Sequence, residues 1–318
     1  MPPPDFPLHA RRDWPLPRDQ EVLRLGCYNI QVDHDRDSGT QREWCHRRPL
    51  AAAAVTALDC DVILIQEPGP PAAADLQADL SSAGFRVAVC ACDPSKWEDA
   101  AGPKSGQAYD GNGFIWREAR MELLGELSPF WFSEAPDGPG GGKWDGSPYE
   151  RTGVQARFRD KLTGQLWHFI TVHIDHAGNE ARKESTRLAI QYAAAAMHPD
   201  IAVVVGGDFN TFPGPSDETY DTLTTAGQAA GMVDVRAAAD VEICDFGVGG
   251  CSWKGWPAEK FCREENVANF GFGQDASRFD QLFVQANAKV RSTGVVEEAC
   301  WADASDHVPI VTEFLSTQ

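Results

Sequence analysis

The 318-residue sequence contains no apolar run near the ~20 residues that span a bilayer, and nowhere a run of lysine or arginine. The first absence excludes a helical membrane span within it. The second, with 47 acidic against 28 basic residues and a formal net charge of -19, disfavours extended contact with a nucleic-acid backbone, which draws on clustered bases. No CxxC spacing occurs, and the nine cysteines are an odd number scattered along the chain, so a disulfide framework is not expected. Cys27, Cys60 and Cys90 lie in or beside apolar segments and read as buried thiols. Cys244, Cys251 and Cys262 cluster in a glycine-rich stretch, where pairing or zinc binding is the minor reading. No cysteine stands in a glycine-rich cradle followed by arginine, which argues against a cysteine nucleophile. The amino-terminal Met1-Pro-Pro-Pro-Asp-Phe-Pro lacks the apolar core of a secretory signal. The expectation is a soluble cytoplasmic monomer.

What is present is ample material for a core, 42% hydrophobic residues. Internal repeats, low-complexity tracts and composition breaks are missing, so the expected organisation is an irregular arm over 1–20 and one domain over 21–318, with a loop excursion at 240–276. Hydrophobic periodicity predicts strands at 22–30, 61–66, 85–90, 114–117, 122–127, 154–158, 166–174, 201–205, 279–284 and 308–314. Helices are expected at 47–58, 75–83, 180–197 and 217–230, and a loop at 136–147. Helices between some strands and hairpins between others indicate an α/β protein with mixed sheets.

Several of these apolar segments end in an acid, an amide or a histidine: Asn29, Glu67, Asp208 with Asn210, and Asp306-His307 before the last strand. Strand ends are where a rigid sheet holds oxygen and imidazole groups around a hard metal ion. Each motif alone is moderate evidence. Asp208 and Asn210 could shape a turn, Glu67 could close a structural salt bridge, and a lone His173 would more often be a core or surface residue.

Taken together, Asn29, Glu67, His173, Asp208-x-Asn210, Arg278-Phe-Asp280 and Ser305-Asp306-His307 resemble, in order and context, the endonuclease/exonuclease/phosphatase superfamily that includes DNase I and sphingomyelinases. The resemblance covers about residues 22–314. Phe130-Trp-Phe-Ser-Glu-Ala-Pro, Lys143-Trp-Asp, Arg151 and His173-Ile-Asp-His176 resemble a bacterial-type branch with an H-x-D-H motif.

The resemblance implies a four-layer α/β sandwich of two face-packed mixed β-sheets flanked by α-helices, with the site at one end. It implies Glu67 as the main metal ligand, with Asn29 and Asp306 nearby, and Mg²⁺ or Mn²⁺ as the ion. By the same likeness His307, oriented by Asp280, activates water for in-line attack on phosphorus; Asp208 and Asn210 orient the nucleophile and phosphate oxygens; His173 donates to a phosphoryl oxygen or the leaving group. Arg151 either clamps a phosphate or is a surface arginine, Tyr109 and Asn112 either line the pocket or do not, and His176 either steadies its loop or touches substrate. Asp33 and Asp35 read as solvated loop acids. Tryptophans 253 and 256 with phenylalanines 261, 270 and 272 either form an aromatic rim or pin their own loop.

The expected activity is therefore a Mg²⁺-dependent phosphodiesterase, with a small phosphate ester favoured by the acidic charge. A DNA or RNA nuclease, so that nucleic acid is a possible partner, and a sphingomyelinase-like lipid phosphodiesterase are the alternatives within the superfamily. A non-catalytic phosphate-binding module is the alternative of another class. The run Thr171-x-His173-x-Asp175-His176 approaches the HxHxDH motif of dinuclear zinc hydrolases, but a threonine stands where the first histidine is required.

Overall fold

A computed structural model of the chain describes residues 21–34, 37–98, 110–144, 147, 149–211, 218–243, 252–253, 278–296 and 300–315. The expected arm over 1–20, most of the excursion at 240–276, Asp35, Tyr109 and the three clustered cysteines lie outside the described residues. In chain order the strands begin with β1 (Val22–Asn29), β2 (Val62–Gln66), β3 (Phe85–Ala91), β4 (Gly111–Arg117), β5 (Met121–Trp131), β6 (Thr152–Asp160) and β7 (Leu166–His173). They continue with β8 (Ile201–Asp208), β9 (Met232–Asp234), β10 (Ala239–Ile243), β11 (Asp280–Gln285), β12 (Val290–Val295) and β13 (Ile310–Leu315). The helices are α1 (Trp44–Leu58), α2 (Pro70–Leu80), α3 (Pro94–Glu98), α4 (Asn179–Ala196), α5 (Glu218–Ala229) and α6 (Val235–Ala238).

Two mixed sheets result, one of seven strands in the order β10-β12-β13-β1-β2-β4-β3 and one of six in the order β5-β6-β7-β8-β11-β9. Side-chain alternation along a strand decides which layer each residue joins. Leu23, Leu25, Val62, Leu64 and Phe114 point from the first sheet into the space between the sheets, where they meet Val154, Phe158, Phe169, Val204 and Leu282. The alternate residues Tyr28, Ile63, Ile65 and Ile115 face outward onto Ala51, Val55 and Leu58 of α1 and Leu76 and Leu80 of α2. On the other side Ile170, Val172, Val203 and Val205 face Ala189, Ile190 and Ala193 of α4. This is the expected four-layer sandwich.

Local departures from the sequence reading have identifiable causes. Helix α2 starts at Pro70, five residues before the expected 75, because proline is suited to a helix's first turn, where its missing N–H bonds nothing. Strand β5 runs on to Trp131 through a register shift between Leu124 and Ser128, with Gly125 at φ +88°. The first residues of the expected excursion form strand β10, paired in parallel with β12, itself unforeseen. Gly207 is required by sheet geometry: at φ +145°, a Cβ there would stand 1.9 Å from the Val172 carbonyl oxygen of the neighbouring strand. No helix among the described residues is long and apolar enough to cross a membrane.

Candidate active site

Strand direction gathers the polar residues at one end of the sandwich. β1 and β2 run parallel, as do β7 and β8, so Asn29, Glu67, His173 and Asp208 all sit at carboxyl ends. β4 and β11 run antiparallel to their neighbours, so their amino ends, with Asp110 and Asp280, arrive at the same rim. Asp208 pairs across the ladder with His173 on one side and Asp280 on the other.

Asn29 joins the two sheets. Its Nδ2 donates to Glu67 Oε1 and to Asp208 Oδ2, each at 3.0 Å, while its Oδ1 accepts from the Gln31 N–H at 2.9 Å. In this arrangement the Asn29 nitrogen holds the Glu67 and Asp208 carboxylates together, and its side chain stands beside both acids as expected. Glu67 Oε2 accepts from the Val32 N–H at 2.8 Å. Gln31, Glu67 and Asn210 all have positive φ, at +56°, +68° and +43°. Non-glycine residues held there carry strain of about 1 kcal/mol or more each, and such strain gathers where function over-determines the backbone.

Potential ligand atoms of Glu67, His173 and Asp208 lie within 4.8 Å of one another, as do those of Asp208, Asp280 and His307. His173 Nε2 is 3.8 Å from Glu67 Oε1 and 3.7 Å from Asp208 Oδ2. Burial drives the Asp208 carboxyl above its usual range; Asp280 adds to this, while His307 and His173 oppose it. Asp280 Oδ1 is buried with no hydrogen-bond partner. Buried like charges and an orphaned acceptor fit a bound divalent cation, and the oxygen-dominated donor set suits a hard ion. Asp306, expected among the ligands, is half-buried, accepts from Trp253 Nε1 at 3.4 Å and belongs to neither cluster.

The two imidazoles are set apart by their surroundings. His307 Nδ1 is 2.8 Å from Asp280 Oδ2, and its Nε2 is 3.6 Å from Asp208 Oδ2. Burial works against charge on His307, yet Asp280, Asp208 and Asp306 hold its pKa up at about 10. His173 is pulled down to about 4 by burial and by Arg151. Its Nδ1 is 3.0 Å from Asp110 Oδ2, so an Nδ1–H directed at that carboxylate leaves Nε2 as a lone pair facing Glu67 and Asp208. Ser305 positions the His307 loop: its Oγ donates to the Asn29 carbonyl at 2.8 Å and accepts from the His307 N–H at 3.1 Å.

Asp110 escaped the sequence reading. Its Oδ2 also accepts from Arg151 Nη1 at 2.7 Å, and burial raises its pKa to about 6 against the pull of Arg151. The available signal was an acid directly before a glycine-led strand. Arg151 is buried and so not a surface arginine: its Nη1 donates to Asp110 Oδ2 and lies 3.1 Å from both ring nitrogens of His173, and its Nη2 is 3.3 Å from His176 Nδ1. Asn112 is fully buried and donates to the Thr152 carbonyl and hydroxyl, which ties the sheets together. Asn210 donates to the Ile174 carbonyl, and His176 is exposed at the rim. Asp33 accepts from the Trp44 N–H at the start of α1, a structural task in place of the expected solvated one. Thr171 takes a hydrogen bond from Gln66 at 2.8 Å, and Asp175 caps Ala177 and Gly178, which removes both from any zinc motif.

Two mixed sheets thus gather buried acids and imidazoles at one rim, a donor set suited to metal-assisted hydrolysis. The Endonuclease/Exonuclease/phosphatase family profile matches residues 26–307, and the chain belongs to that family of phosphoester hydrolases. Among solved structures it is similar to an endonuclease/exonuclease/phosphatase from Bacteroides vulgatus, at 25% identity and TM-score 0.73, over 92% of this chain and 98% of the other. A mannosyl-6-phosphatase from Bacteroides thetaiotaomicron aligns at 23% identity and TM-score 0.71, over 92% and 100%. D. rerio TDP2 complexed with a single-strand DNA product aligns at 18% identity and TM-score 0.60, over 94% and 100%, and shares the fold. No curated protein sequence matches.

Proposed function

We propose that the chain is a Mg²⁺- or Mn²⁺-dependent phosphodiesterase of small phosphate esters. The observation that carries this reading is the convergence of the Asp280–His307 pair, at 2.8 Å, on Asp208 beside the Glu67–His173–Asp208 cluster. Glu67 and Asp208 would hold the cation, with His173 beside them. When bound, such an ion supplies Lewis-acid polarisation of the phosphoryl oxygen and offsets the carboxylate charge.

His307 Nε2 takes a proton from the attacking water, and Asp280 on Nδ1 steadies the imidazolium that forms. Its pKa is held up first by Asp280 and then by Asp208 and Asp306, so it would serve as a base once a cation offsets the Asp208 charge. The water oxygen bonds to phosphorus as the opposite ester bond breaks in line, and the departing oxygen takes up a proton. His173 would donate a hydrogen bond to a phosphoryl oxygen from Nε2–H, and could give up that proton to the leaving oxygen when doubly protonated, a form that Asp110 behind it would stabilise. Asn210 orients the nucleophile at the rim, and exposed His176 is placed to touch substrate.

The test is hydrolysis with Mg²⁺ and with Mn²⁺ across bis-p-nitrophenyl phosphate, nucleotides, oligonucleotides, plasmid DNA, sugar phosphates, phosphoinositides and sphingomyelin, with His307→Ala as control. Turnover of small diesters above plasmid DNA is expected, in keeping with the -19 charge. The similarities to a mannosyl-6-phosphatase and to TDP2 place sugar phosphates and oligonucleotides in the panel. Inertness across the panel would overturn the proposal in favour of a phosphate-binding module.

A further inference from the structure

Among the described residues Arg47 of α1 is the largest fully buried side chain, at 0% exposure, and four of its hydrogen bonds go to main-chain carbonyls. Nε donates to Arg42 at 2.6 Å, Nη1 to Ile30 at 2.7 Å and to Ala304 at 3.2 Å, and Nη2 to Gln31 at 3.0 Å. The guanidinium also lies 5.4 Å from the Trp44 ring centre. Three of these carbonyls flank site residues: Ile30 and Gln31 follow Asn29, and Ala304 precedes Ser305 and Asp306.

The opposite ends of two of these peptide groups are also in use. The peptide whose oxygen is the Ile30 carbonyl has the Gln31 N–H at its other end, donating to Asn29 Oδ1 at 2.9 Å. The peptide whose oxygen is the Gln31 carbonyl has the Val32 N–H at its other end, donating to Glu67 Oε2 at 2.8 Å. Two successive peptide groups thus stand with their oxygens on one buried cation and their N–H groups on two side chains of the rim. Gln31, between them, is held at φ +56°. A cation on the oxygen end polarises the peptide and strengthens the N–H end as a donor.

We propose that Arg47 is a positioning residue that acts through these two peptides to fix the Glu67 carboxylate and the Asn29 amide, and so sets the affinity of the site for its divalent cation. A direct Arg–Glu pair would neutralise Glu67 and occupy its oxygens. A guanidinium one peptide away fixes the carboxylate through Oε2 and leaves Oε1 to the neutral Asn29 amide at 3.0 Å, with His173 Nε2 3.8 Å distant. Arginine is required because its planar fork reaches carbonyls of two separate segments at once, which a single ammonium cannot do with the same geometry. The inference rests on the metal reading of Glu67 given above.

The experiment measures Mn²⁺ binding to the metal-free full chain by the electron paramagnetic resonance signal of free Mn²⁺, and activity as a function of Mn²⁺ with a diester. Arg47→Lys is expected to weaken Mn²⁺ binding roughly 10–100-fold, the range for groups that orient metal ligands, while kcat at saturating Mn²⁺ stays within about threefold of wild type. Val55→Ala, in the same buried layer of α1, controls for simple loosening and is expected to leave Mn²⁺ binding unchanged. If Arg47→Lys does not fold, Gln31→Gly, which keeps Arg47 but frees the restrained peptides, is expected to weaken binding severalfold.

Unchanged affinity in the folded variant, or an equal loss in Val55→Ala, would overturn the proposal. So would a fall in kcat with affinity intact. Wild-type protein that binds no Mn²⁺ would remove the metal reading itself, a failure distinct from wild type binding normally and Arg47→Lys binding just as well.

Discussion

The two ends of the sandwich treat buried charge in opposite ways. At the end away from the site, buried acids meet arginines: Arg120 with Asp160 at 2.7 Å and Arg24 with Glu313 at 2.9 Å. At the site end Glu67, Asp208 and Asp280 face one another through an amide and two imidazoles, with three strained residues beside them. The first arrangement satisfies its charges within the chain. The second leaves charge and a carboxylate oxygen uncompensated, which is unfavourable for an isolated fold and favourable for holding a cation and a phosphoryl group.

The comparison is broken most severely at the site end. His307→Ala is expected to lower kcat by roughly 10²–10⁴-fold, the range for a lost acid–base group, and Glu67→Gln to abolish turnover with the fold retained. Diester hydrolysis together with thermal melts checks both; full activity of Glu67→Gln would contradict its metal role. The reverse outcome is expected at the other end. Asp160→Asn, which breaks a buried pair, should cost about 3 kcal/mol in urea unfolding and leave kcat of the folded protein unchanged.

A buried histidine remote from the rim sharpens the contrast through pH. His168 lies in mid-strand of β7, 3.0 Å from Gln155 Oε1, and burial lowers its pKa to about 4 from 6.5. The folded state therefore favours its neutral form. Its contribution is fully present above pH ~6.5 and is lost as pH falls from there through 4. Denaturant unfolding of wild type against His168→Gln should differ in pH slope over that window by about 2–3 kcal/mol in total, and equal slopes would remove the assignment. The smallest effect is the most telling. Asp208→Asn, measured without metal, should raise stability by about 1 kcal/mol while activity falls, because the fold resists the Asp208 charge that function requires. A destabilised Asp208→Asn protein would mean that the rim is as self-sufficient as the opposite end.

How much of this was legible depended on whether the signal was local. Strand β2 announced itself as Val62-Ile-Leu-Ile, and Glu67 directly behind it could be seen as an acid needing a partner. Asp110 gave little sign, because its partners Arg151 and His173 lie 41 and 63 positions away. Arg47 looked like one more residue of an alanine-rich helix, since nothing in the sequence tells which carbonyls its guanidinium will meet. The surroundings of Asn112 and Arg151 stay open in the sequence for a related reason: strand pairing sets which face a side chain takes, and pairing is not a local property.

By itself the sequence determined the longer strands and helices, their alternation of inward and outward residues, and most of the polar side chains standing at strand ends. Those follow from backbone periodicity and the cost of burying polar groups, both readable within a few residues. The tertiary structure alone decided which acids would face arginine and which would face each other, that Asn29 would turn its nitrogen to the carboxylates, and that the two imidazoles would have their pKa values driven in opposite directions. These depend on distances of 3–4 Å between residues far apart in the chain, and electrostatic energy changes steeply over just such distances in a low-dielectric interior.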